Sequence, residues 1–84
     1  MVKKDGAEAR RERIKQIAQS MQAAFHEKKE KGGTPELQLS KFISSLMFNT
    51  GLTREKVILY LEIIQDMGQC ELDFENDKIR KPQL

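Results

Sequence analysis

Few residues of this 84-residue chain carry reactive or ligating chemistry: His26, Cys70 and a run of alternating carboxylates at Glu71, Asp73, Glu75 and Asp77. One histidine and one cysteine fall short of the four donors of a structural zinc site. The carboxylates have the spacing of a calcium loop, but the run lacks that loop's central glycine and terminal glutamate. They read instead as the outward side of a strand and its turn. Gly32-Gly33 is too short to cradle a phosphate, and no Gly-Lys-Ser/Thr follows it. His26 stands among Glu27, Lys28 and Lys29, where a solvated or capping role is expected. The expectation is therefore no catalytic group, no cofactor and no metal.

The chemistry that remains is charge. A formal net charge of +2 hides an uneven distribution. Residues 1–31 hold nine Lys/Arg against five acids, residues 53–77 hold two against seven, and the tail from residue 78 adds three cations. Lys3, Lys4, Arg10, Arg11, Arg13 and Lys15 are the densest group, with Lys78, Arg80 and Lys81 at the other end. Converging on one side, such groups neutralise nucleic-acid phosphates. Mixed with Glu8 and Glu12, they serve equally to solvate a surface helix.

These charges must be carried by elements that the apolar spacing defines. A chain this short forms one domain and buries only about 60% of the surface its unfolded form exposes. Over residues 7–31, Ile14, Ile17, Met21 and Ala24 recur at three- and four-residue steps, widened by Ala18 and Phe25. That is the stripe of a long helix, stopped by Gly32-Gly33; residues 1–6 before it form a flexible basic arm. Leu37 and Leu39 alternate with polar neighbours, as in a very short strand. Ser40 is the expected N-cap of a second helix with Phe42, Ile43, Leu46 and Met47 on its stripe. Gly51 ends it and Thr53 caps a third helix, with Val57, Leu61 and Ile64 inward and Gly68 closing it. The period then changes. Cys70, Leu72 and Phe74 alternate with acids and are expected to enter the core from a strand, Asn76-Asp77 is turn chemistry, and Lys78-Ile79-Arg80 is the return strand. Tyr60 is expected to pack against the core.

No stretch approaches the roughly 18 to 20 consecutive apolar residues that span a membrane, and MVKKDGAEARRER has no apolar core of a secretory signal. A lone cysteine forms no internal disulfide and suits a reducing cytoplasm. The first helix would be about 37 Å long at 1.5 Å per residue. That exceeds what a small domain needs, so one end is expected to pair with a second copy.

Leu46, Met47, Gly51, Leu52, Thr53, Val57, Tyr60 and Leu61, followed by a hairpin, resemble the pattern of winged helix-turn-helix proteins. GLTREKVILYLEIIQDMGQCEL is similar to the recognition helix and first wing strand of small archaeal and bacterial members. The resemblance covers residues 37–80 and implies an α+β winged helix: a helix-turn-helix over residues 37–67 and a wing over 69–81. It further implies double-stranded DNA binding, as a transcriptional regulator or a chromosome-associated factor of the nucleoid, by a homodimer joined through the first helix. By that resemblance Thr53, Arg54, Glu55, Ile58, Leu59 and Glu62 face DNA and the turn at Glu75, Asn76 and Asp77 lies on the adjacent backbone. Arg54 suits a guanine edge or a phosphate. Thr53, Lys56, Lys41, Arg10, Arg11, Arg13, Lys15, Lys78 and Arg80 suit phosphates. The departure from the pattern is acidity: Glu55, Glu62 and Asp66 share the face, and the wing tip reads ENDK. With Ile58, Leu59 and Ile63 beside those acids, the same face fits a protein partner instead.

Overall fold

Ile17, Met21 and Phe25 are fully buried at four-residue intervals along the first element, α1 (Gly6–Glu30). The computed structural model describes residues 6–33 and 35–82. The basic arm expected at residues 1–6, apart from Gly6, lies outside the described residues. The helix closes as its periodicity requires: the Gly33 amide donates to the Lys28 carbonyl and the Gly32 amide to the Lys29 carbonyl, which satisfies two orphan carbonyls of the last turn.

After α1 come β1 (Glu36–Gln38), α2 (Leu39–Thr50), α3 (Arg54–Asp66), β2 (Glu71–Asp73) and β3 (Lys78–Arg80). Among the described residues the chain is thus α+β, with three helices and one three-stranded antiparallel sheet. Strand order is β1-β3-β2, so the last strand lies in the middle. Leu37, Ile79 and Leu72 stand in one register row. They turn toward the helices because alternate residues of a strand share a face. Ile79 is wholly buried at the centre. Glu36, Arg80 and Glu71 form one row of the opposite face, and Gln38, Lys78 and Asp73 the next.

The α2–α3 connection follows the expected chemistry. Gly51 adopts φ 74°, which its missing Cβ permits, and its amide donates to the Met47 carbonyl at 3.0 Å. Thr53 then caps α3, its hydroxyl accepting from the Lys56 amide at 3.3 Å. Leu39, Ile43 and Leu46 of α2 meet Val57, Tyr60, Leu61 and Ile64 of α3 in the core that α1 covers. The amide of Leu72 donates to the Gln65 side chain at 2.7 Å, which docks the hairpin on α3.

Three expectations are corrected. Leu39 does not extend β1; it opens α2. Ser40 is therefore not the N-cap: Gln38 occupies that position and makes no side-chain cap bond. Asp77 does the capping from the hairpin turn. Its Oδ1 accepts from the Ser40 amide at 2.8 Å, its Oδ2 from the Ser40 hydroxyl at 2.7 Å, and its carbonyl from the Leu39 amide at 3.0 Å. A carboxylate answers both the orphan amides and the positive end of the helix dipole better than a hydroxyl does. Phe74 does not enter the core. The strand stops at Asp73, whose carboxylate accepts from the Asn76 amide and side chain, and the turn so formed leaves Phe74 55% exposed.

Candidate nucleic-acid interface

Helix α3 presents one side to solvent because its core residues recur at Val57, Tyr60, Leu61 and Ile64. Arg54, Glu55, Lys56, Leu59, Glu62 and Asp66 are exposed on the remainder, and Ile58 and Ile63 are half-buried against the core. Cations occupy only the N-terminal turn of α3. Glu55 shares that turn, and Glu62 and Asp66 hold the far end, so the potential falls along the helix from Arg54 toward Asp66.

Ser40 and Asp77 join the start of α2 to the hairpin turn. The Asp77 carboxyl is held below the usual range first by the Ser40 hydroxyl, then by Gln38 and the Ser40 amide, with the Arg54 charge adding to the effect. The Arg54 charge thus acts on the α2–hairpin junction, and exposed Lys41 follows Ser40 along α2. Arg13 reaches the other end of α2 from α1, lining a cleft of about 140 Å³ with Asn49 and Thr50 just before the α2–α3 turn.

Lys78 and Arg80 do not join this group. Both sit on the outward face of the sheet, where Arg80 bonds Asp73 at 2.8 Å and Glu36 at 3.1 Å, and Lys78 lies 3.6 Å from Glu36. Two of the hairpin's acids are accounted for by contacts of this kind. Asp73 bonds Asn76 and Arg80, and Asp77 caps α2. Asn76 above all, and Arg80 after it, lower the Asp73 carboxyl to about 2.

A pH dependence follows. Both carboxyls titrate below their unfolded value of about 3.9, so the stabilisation from each is complete above about pH 5 and lost as pH falls through its folded value, which for Asp73 is about 2. The urea midpoint is expected to drop across that window. Asp73→Asn/Asp77→Asn should show a lower midpoint at neutral pH and a flatter acid limb. An unchanged acid limb would contradict the assigned roles.

Arg10, Arg11 and Lys15 are exposed on the first half of α1. Arg11 and Lys15 edge a groove of about 720 Å³ between α1 and the end of α3, floored by Ile14, Ala18, Ile63 and Met67. Met67 escaped the sequence reading, although it continues the Leu59, Ile63 spacing by four residues. Phe48, 90% exposed on α2, gave no periodic signal.

Cys70 is buried, and burial, with Glu71 adding to it, pushes its thiol up to about 11, so it is protonated and serves packing. Among the described residues no group of three or more His, Cys, Asp or Glu side chains is placed to hold a metal ion, and no helix is long and apolar enough to cross a membrane. No protein-family model matches the chain, and neither a curated protein nor a solved structure matches it.

Proposed function

We propose that this chain binds double-stranded DNA in the winged-helix manner. The observation that carries the reading is the layout. A turn of three residues sets α3 beside α2, a hairpin follows α3 directly, and the outer side of α3 is open. Contact is confined to the N-terminal end of α3, because Glu62 and Asp66 repel phosphates further along. There Arg54 reaches a base edge, while Thr53, Lys56 and Lys41 take the adjoining phosphates. Arg10, Arg11 and Arg13 supply sequence-independent attraction from α1. Lys78 and Arg80, already paired on the sheet's outer face, contribute little. A role as transcriptional regulator or chromosome-associated factor follows from this reading.

Fluorescence anisotropy with duplex DNA at about 50 mM salt tests it. Arg54→Ala is expected to cost about 1–3 kcal/mol of binding. Replacing Arg10, Arg11 and Arg13 by Gln should flatten the salt dependence by about 0.9 in log–log slope for each phosphate no longer neutralised. Lys78→Gln should leave affinity unchanged. Absence of binding to any duplex at that salt would remove the reading.

One observation favours a second reading, a protein-docking module. Leu59 is 46% exposed and Met67 57% exposed, on a helix side shared with Glu62 and Asp66. An apolar strip edged by carboxylates fits a basic amphipathic helix.

A further inference from the structure

Lys28 stands in the last turn of α1 and Lys41 in the first turn of α2. Gly32-Gly33 ends α1 and the chain turns back through β1, so both lysines line one cleft of about 310 Å³. Leu37 and Phe42 floor it, and Gln38 and Ser45 add an amide and a hydroxyl. Among the described residues no carboxylate lines it. We infer, resting on the DNA binding proposed above, that this cleft seats a phosphate of the bound duplex, held by Lys28 together with Lys41 and Ser45. Lys28 is then a contact that neither α3 nor the hairpin supplies.

Pairing sets these two lysines apart. Lys31 lies 3.1 Å from Glu27, and Lys78 lies 3.6 Å from Glu36. Lys28 and Lys41 make no ion pair among the described residues. Two cations lining one cleft repel each other, and an anion between them reverses the sign of that interaction. The helix dipole accounts for less. Lys29 stands in the same last turn and answers the negative end of α1 equally well, yet it does not line the cleft.

Position joins the cleft to the rest of the interface. Gln38 lines it and also donates from its side chain to Asp77 Oδ2 at 3.2 Å. The cleft therefore adjoins the α2–hairpin junction on which the Arg54 charge acts. A duplex whose base edges meet Arg54 can continue over the start of α2, where Lys41 already takes a phosphate, to Lys28 on α1.

Anisotropy titrations against duplex DNA between about 50 and 200 mM salt are the test. Lys28→Gln is expected to lower the log–log salt slope by about 0.9. It should weaken duplexes of different sequence alike, because a phosphate carries no sequence information. Lys29→Gln removes the same charge from the same helical turn and should keep the natural slope. Lys28→Arg should keep it too. Ser45→Glu, at an exposed position, should weaken binding by placing a carboxylate in the cleft. Circular dichroism is expected to be unchanged in all four. Equal slopes for Lys28→Gln and Lys29→Gln would overturn the phosphate seat and leave the proposed function standing, with Arg54→Ala still costing affinity. A natural chain that binds no duplex would overturn both.

Discussion

Phe25→Ala is expected to remove about 3–5 kcal/mol of folding free energy. Phe25 is the largest of the fully buried side chains and 1% exposed. It sits near the end of α1, where that helix closes over the core formed by α2, α3 and the sheet. Truncation deletes a ring from a site whose neighbours stand on separate elements, so the cavity cannot collapse by a rotamer change alone. A domain of this size holds roughly 4–13 kcal/mol in total, so the loss is a large fraction of it. The thermal midpoint should fall by roughly 12 °C or more. Urea denaturation followed by circular dichroism measures the effect. A loss under about 1 kcal/mol would match an ordinary surface position and contradict the packing.

The second large effect belongs to Ile79. It is wholly buried in β3, between Leu37 and Leu72 in the same register row. Ile79→Ala is expected to cost about 2–5 kcal/mol, and Ile79→Val about 0.5–1.5 kcal/mol. The distinctive outcome is where protection is lost. Strands β1 and β2 lie far apart in sequence and do not pair with each other; each is held in the sheet by β3. Hydrogen exchange should therefore accelerate together at the amides of both. Acceleration confined to β3 would show that β1 does not depend on it.

Much of the architecture was legible because it rests on local signals. The stripes of α1, α2 and α3 repeat within a few residues, and Gly51 and Thr53 act on their immediate neighbours. The β2–β3 hairpin was likewise announced by alternation and turn residues. Pairings between distant parts of the chain were not legible. Ser40 has the side chain of an N-cap, and nothing near it in sequence shows that Asp77, from the hairpin turn, reaches α2 first. Phe74 continues an apolar alternation, but the Asp73–Asn76 turn breaks the strand before it.

The candidate site divides the same way. The exposed positions of α3 follow from helical period alone, as does the half-burial of Ile58 and Ile63 beside a core stripe. The pairing of Lys78 and Arg80 with Glu36 and Asp73 does not. It requires knowing that β1 lies against β3. Charge counted along the sequence therefore overstated the cations open to a phosphate on the sheet.

The central place of β3 bears on how the chain is made. Of the three strands it leaves the ribosome last, and both others depend on it for their hydrogen bonds. Until it emerges, β1 is an unpaired edge, and α2 lacks the acceptor that Asp77 brings to its first turn. During synthesis the helices can gather by short-range contacts, but the sheet waits for this one strand. A nascent chain paused before that point would expose Leu37 and Leu72 to whatever protein lies nearby.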